Sequence, residues 1–290
     1  MNEESIKTKT KNGECLIYKY RIVSKEMNGN VYNGVLIREI ITGEKTVDEV
    51  AIKHIFKMPE SGFDEAVLQF NHANIIKIHD YVIFPKSDEN VFSDPPGMII
   101  IMDNYEFNLA KFIKSQKVQS KVLPKNEKQI HPFKCEWVKQ MIKAMMYLHE
   151  EGVVSIGEPS QFLIKREEND WVLKLNGVSF PNSNFRFYKS PEHWRPFEIK
   201  QEKKDDVWAF GITFVQLFGL SEELYSIVFR SSTPQNLRLD SDKFCSGLYS
   251  ILPNLKEHFP TVLPMIFVLR KERKYFDEIY DVMFNNKIIQ

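Results

Sequence analysis

The chain has no net charge to offer a partner. Its 39 lysines and arginines balance 39 aspartates and glutamates over 290 residues. A balanced chain exerts no long-range pull on a polyanion, so neither nucleic acid nor a membrane is expected as a partner. Cysteine is scarce. Cys15, Cys135 and Cys245 are an odd and scattered set, which argues against a disulfide framework or a zinc site. Buried structural thiols in a reducing cytosol are the expectation. The first residues are rich in Lys and Glu and hold no apolar core of a signal peptide. No apolar run approaches the length of a membrane span, and there is no internal repeat or low-complexity tract. What remains is an ordinary globular composition, 43% apolar and 27% charged, long enough for a large core in one or two lobes.

Residues 1–16 are polar and are expected to form a flexible terminus. Strand patterns follow. Tyr20-Arg21-Ile22-Val23 and Val31-Tyr32-Asn33-Gly34-Val35-Leu36-Ile37 flank a loop of residues 24–30 with one glycine, Gly29. Val50-Ala51-Ile52-Lys53 is a β-branched strand, and 97–104 reads as a buried strand bounded by Pro95-Pro96-Gly97. Between them, 60–70 suggests a short helix. The period then becomes helical. A helix is expected from Leu109 to about Ile113, and a longer one over 132–149 with Phe133, Trp137, Met141, Met145 and Leu148 on one face and Gly152 as its stop. His149 reads as a last-turn cation at the helix dipole. The charged run 200–206 reads as a solvated linker. Phe276, Ile279, Tyr280, Met283 and Phe284 make a final helical stripe.

Several motifs occur in the order of a protein kinase across roughly residues 17–284. Val50-Ala51-Ile52-Lys53 resembles the third-strand motif whose lysine meets phosphates. Pro159 with Phe162-Leu163-Ile164 resembles the end of a catalytic loop. Ser190-Pro191-Glu192 resembles the Ala-Pro-Glu motif, and Asp206-Val207-Trp208-Ala209-Phe210-Gly211 the helix that anchors the C-lobe. The resemblance implies an α+β, bilobal protein-kinase-like fold, with a β-rich N-lobe at 17–103 and an α-helical C-lobe at 104–290. It also implies a structural role for Asp206 and a buried bridge between Glu192 and Arg273.

The chemistry of a kinase is missing from that frame. Where His-Arg-Asp belongs stands Val154-Ser155-Ile156, and where Asp-Phe-Gly belongs stands Gly177-Val178-Ser179. An isoleucine accepts no proton, and a glycine side chain offers no oxygen to magnesium. A one-residue shift of the frame puts Gly157 in place of Ile156, with the same consequence. Gln161 takes the position of the loop asparagine but makes no metal site alone. Ser24 and Glu26 replace two phosphate-loop glycines, and the Glu26 carboxylate opposes phosphate. Lys53 is left as a residual nucleotide contact, with Glu60 and Glu65 both off the usual spacing for its ion pair. The expectation is a pseudokinase with no cofactor and no metal.

The details are similar to the mixed lineage kinase domain-like (MLKL) family of necroptotic pseudokinases. Pro95-Pro96, Ser160-Gln161-Phe162-Leu163, Leu173-Lys174-Leu175-Asn176-Gly177, Ser190-Pro191-Glu192 and Arg273-Lys274-Tyr275-Phe276-Asp277-Glu278-Ile279 carry that likeness. Two departures stand out. No room precedes Tyr18 for the family's killer four-helix bundle, and the segment between Ser179 and Ser190 lacks the Ser/Thr cluster that an upstream kinase phosphorylates. In both respects the chain resembles the truncated poxviral members. The resemblance implies a decoy in the host cytoplasm that binds the host receptor-interacting protein kinase of necroptosis. The family's exposed aromatic after the Ser-Pro motif falls on Phe197, with Trp194 beside it, as the partner-binding residues. A scaffold or allosteric regulator of another kinase, and a degenerate kinase with weak residual activity, are the alternatives.

Overall fold

The computed structural model describes residues 3–9, 15–26, 31–39, 45–55, 65–84, 97–154, 157–168, 170–176, 188–190, 192, 202–220, 241–268 and 270–285. It is a mixed α+β protein that divides into two compact units. One is Met1–Asn71 with Ile76–Glu106, and the other is His72–Ile75 with Phe107–Gln290.

The first unit is an antiparallel sheet of six strands: β1 (Glu3–Lys9), β2 (Cys15–Glu26), β3 (Val31–Glu39), β4 (Lys45–Ile55), β5 (Ile78–Phe84) and β6 (Gly97–Asp103), in spatial order β1-β2-β3-β4-β6-β5. Leu36, Val50, Ile52, Ile99 and Ile101 form its core, with Tyr32 against them. These residues alternate along β3 and β4, as a one-sided strand requires.

Three elements differ from the sequence reading. Residues 3–9 are not a frayed tail but an edge strand, paired from Glu3↔Arg21 to Lys9↔Cys15. A polar edge strand carries no hydrophobic run, so only its partner reveals it. Ser24 and Glu26 continue β2 instead of opening a loop; they pair with Asn33 and Val31 beyond a bulge between Ile22 and Ser24. With no glycine to interrupt it, the ladder runs on. In 60–70 the described element is a short 3-10 helix, Glu65–Gln69.

In the second unit, β7 (Phe107–Asn108), β8 (Phe162–Glu167) and β9 (Asp170–Leu175) form a small sheet. Helices α1 (Leu109–Lys114), α2 (Gln116–Val122), α3 (Glu127–Glu150), α4 (Lys203–Leu217), α5 (Ser241–Ile251), α6 (Pro253–His258), α7 (Val262–Ile266) and α8 (Phe276–Tyr280) build the rest, and Asp281–Asn285 forms a closing π turn. Helix α3 starts well before the expected Pro132, because Asn126 caps it: its side chain accepts from Lys128 N–H at 3.1 Å. Its end is as expected. Gly152, at φ +78°, donates to His149 O and Val153 to Leu148 O, which helps satisfy the last carbonyls of the helix. Trp137, Met141, Met145 and Leu148 are buried.

Residues Lys203 to Asp206 are no linker. They open α4, which is buried from Asp205 to Leu217. After its first turn helix α4 is buried on all sides and mostly apolar, with Thr213 and Gln216 as its polar residues.

The β8–β9 ladder ends at the pair Glu167↔Asp170, and exposed Glu168 sits at φ +51°. Left-handed backbone costs a residue with a Cβ roughly 1–2 kcal/mol, and asparagine tolerates it better. Glu168→Asn is expected to raise stability by about 0.5 kcal/mol, read as a higher urea midpoint at unchanged slope.

Candidate functional site

The loop between α3 and β8 is where the sequence reading put the lost chemistry. Ser155 and Ile156 lie outside the described residues, as do Gly177, Trp194 and Phe197. The frame around them is described, and it is pinned from several elements. The Gly157 carbonyl accepts from the buried Thr213 hydroxyl of α4 at 2.7 Å. The Pro159 carbonyl accepts from Ala110 N–H at the start of α1, 3.2 Å away, and Gln161 N–H donates to Glu158 O at 3.0 Å. The Ser160 hydroxyl donates to the Glu158 carboxylate.

Gln161 is buried, and its carbonyl takes the Asn176 N–H at 2.9 Å. Next to it, Leu175 N–H donates to Asn74 O at 2.7 Å, and the Asn74 amide donates to Leu173 O at 3.2 Å. The tetrad 72–75 is therefore stitched to β9. The hairpin in turn is tied to α3: Trp137 Nε1 donates to Trp171 O at 2.9 Å, and Leu173 N–H to Gln140 Oε1 at 2.8 Å.

Beside this loop lies a cleft of about 300 Å³. Ala110, Ile113 and Pro159 give it an apolar floor, and Lys114, Glu158 and Tyr188 line it as well. The Tyr188 hydroxyl donates to Gln216 Oε1 at 3.1 Å. Among the described residues, no group of three or more His, Cys, Asp or Glu is placed to hold a metal ion. Lys53 lies in β4 opposite Val31 and Ile100 and is half-buried. Glu60 and the Glu65 side chain lie outside the described residues.

Glu192 and Arg273 are brought together. Arg273 Nη2 donates to Glu192 Oε2 at 2.7 Å, and the arginine side chain is fully buried while Glu192 keeps an edge in solvent. The pair sits in a larger network. Arg270 N–H donates to Glu192 Oε1 at 2.7 Å, and Arg270 Nε to Asp205 Oδ1 at 3.0 Å. The buried Ser190 hydroxyl donates to Asp205 Oδ1 at 2.7 Å. The guanidinium of Arg273 also lies over the Trp208 ring, 4.9 Å from its centroid. Burial pushes the Glu192 carboxyl up. The Arg273 charge and hydrogen bond, with the Arg270 N–H, outweigh it and leave the group below its ordinary value.

Asp206 is fully buried, and its Oδ2 lies 2.9 Å from His149 Nε2, a contact that requires the proton on Nε2. His149 is thus in the last turn of α3, as expected, and is buried against Asp206 of α4. The Lys203 ammonium caps the same end by donating to His149 O. Asp205, Arg270, Thr213 and Asn74 were not singled out from sequence. Two adjacent acids heading an apolar helix were the available signal for Asp205; nothing local marked the others.

Cys245 is buried and Cys135 half-buried, with both thiols pushed up by burial, to about 12 and about 11. Such a shift disfavours the thiolate at neutral pH. No helix among the described residues is long and apolar enough to cross a membrane. No protein-family model matches the chain, and no curated protein matches it.

Proposed function

We propose that the chain is a bilobal, protein-kinase-like pseudokinase that transfers no phosphate and acts by occupying another kinase. The partner proposed is the host receptor-interacting protein kinase of necroptosis, met in the host cytoplasm and held away from its MLKL substrate. One observation carries the reading. The two positions that need carboxylates hold Ile156 and Gly177, while the loop frame and the Glu192–Arg273 tie around them are kept in place by buried hydrogen bonds. A chain that had merely lost activity by drift has no reason to retain these hydrogen bonds. A chain that is read by shape has. The segment 178–189 holds only Ser179, Ser183 and Tyr188 as hydroxyl side chains, so such a complex lacks the acceptor cluster whose phosphorylation would switch it.

Two measurements test this. With magnesium and γ-labelled ATP, phosphotransfer is expected to be no higher than for a Lys53→Met control; transfer above that control sinks the pseudokinase reading. Titration of the purified chain against the isolated receptor-interacting kinase domain is expected to give saturable binding. Phe197→Ala is expected to weaken it at least tenfold, which is about 1.4 kcal/mol, with an unchanged melting curve. Aromatic anchors dominate such interfaces. Unchanged affinity removes Phe197 from the interface, and no binding by the wild type removes the decoy reading.

A further inference from the structure

The neutral total conceals a strongly uneven surface. Between residues 109 and 128 the chain carries Lys111, Lys114, Lys117, Lys121, Lys125 and Lys128 against the single acid Glu127. All six lysines are exposed. They recur every three or four residues along α1, α2 and the start of α3, while Leu109, Phe112 and Val122 turn inward. A spacing of three or four keeps side chains on one face of each helix.

Local stability explains part of this pattern only. Lys111 and Lys114 in the last turn of α1, and Lys121 in the last turn of α2, complement the helix dipole. Lys121 also lies 5.5 Å from the centroid of the Trp171 ring. Lys117 and Lys128 stand in the first turns of α2 and α3, where the same dipole disfavours a cation. Lys125 lies outside both helices. Those three are placed against or apart from the local preference, and with the others they leave a stretch of twenty residues whose exposed charges are six lysines and one glutamate.

We propose that this lysine face docks an acidic, aspartate- and glutamate-rich segment of a partner protein. Charge complementarity selects a polyanion. Three features choose among polyanions. The stretch contains no arginine, whose planar fork is the usual reader of phosphate. Its one aromatic, Phe112, is buried, and the nearby Trp171 is half-buried against Phe107, which leaves little ring face for a base. None of the exposed large hydrophobic residues lies on it, so it has no anchor for a lipid surface. Lysines on flexible stems suit carboxylates spread irregularly along an extended chain. The inference is independent of the decoy reading, and each can fail without the other.

The test uses the full chain and a fluorescent oligo-glutamate of about 20 residues, followed by anisotropy. Binding is expected at about 50 mM salt and at least fivefold weaker at about 300 mM, as for exposed charges. Lys117→Glu/Lys121→Glu/Lys125→Glu/Lys128→Glu is expected to weaken it at least tenfold, and the four-site Gln variant to do so by a smaller factor. Melting curves establish that each variant is folded, and the Gln variant decides alone if reversal unfolds the chain. Single-stranded RNA of equal charge and phosphatidylserine vesicles are expected to bind more weakly than oligo-glutamate. Tighter binding of either, no binding of oligo-glutamate, or equal binding by the folded variants overturns the proposal.

Discussion

Glu192→Ala is expected to destabilise the chain by about 3–5 kcal/mol at neutral pH, the largest effect of any single change considered. The reason is the charge left behind. Arg273 has a side chain with no exposure, and Glu192 supplies its shortest contact, at 2.7 Å. Its remaining partners are weaker: Val268 O at 3.0 Å, Lys204 O at 3.4 Å and Asp205 Oδ1 at 3.5 Å. Glu192 also accepts the Arg270 N–H, so the substitution frees a backbone donor as well. Asp205 tempers the loss, which favours the lower end of the range. Replacing both residues, as Glu192→Ala/Arg273→Met, is expected to cost less than the two single changes together, since no buried charge is then stranded.

The effect has a pH signature. The folded carboxyl of Glu192 titrates below its ordinary 4.5, because Arg273 and the N–H of Arg270 overcome burial. A lowered carboxylate contributes stability that is full above the unfolded value and is lost as pH falls through the folded one. The gap between wild type and Glu192→Ala is therefore constant at neutral pH and narrows below about pH 4.5. Urea unfolding at pH 7 and in steps below pH 5 measures it. A gap that stays within error at pH 7, or that widens in acid, contradicts the assignment.

Gly211→Ala is expected to be the second largest. In an average exposed helix this change is favourable by roughly 1 kcal/mol, through backbone entropy alone. Gly211 is in the middle of α4, where a Cβ would lie 2.3 Å from Ile266 Cγ2 and 2.9 Å from Phe267 Cζ. Neither neighbour yields easily. Ile266 is β-branched and fully buried; Phe267 is fully buried with its ring edge-to-face on Trp208, centroids 5.1 Å apart. Overpacking typically costs about 1–3 kcal/mol and more when rigid groups must move. Steric conflict is expected to win, for a net loss of about 2 kcal/mol. Ile266→Ala in the same chain should recover part of it, giving a double variant less destabilised than additivity predicts. Strict additivity of the two changes would mean that Ile266 is not the obstruction. Gly152 gives the contrast. Nothing lies within 4 Å of its would-be Cβ, so Gly152→Ala there meets only the cost of φ +78°.

Local order was legible because its determinants lie within a few residues of one another. The apolar stripe from Trp137 to Leu148, the Gly152 stop, the alternation in β4 and the apolar strand β6 are such patterns, and each marks an element of the right type, though α3 and β4 begin earlier than the pattern does. Glu192 and Arg273 were paired through motif order, and they stand 2.7 Å apart. Misreadings occurred where the sequence carries charge or polarity without period. The run 200–206 looks solvated, yet Asp205 and Asp206 are buried. What decides their burial is the return of the chain far downstream, which brings Arg270 and Arg273 to Asp205, and the end of α3, which brings His149 to Asp206. A buried charge is stable only beside its partner, and no property of its neighbours in sequence says where that partner is. The edge strand 3–9 follows the same logic, since its hydrogen bonds are made by β2 and not by its own side chains. Periodic elements, the neutral total and the identities of Ile156 and Gly177 are properties of the sequence alone. Which charges are interior and which polar segment is a strand depend instead on contacts between residues that are distant along the chain.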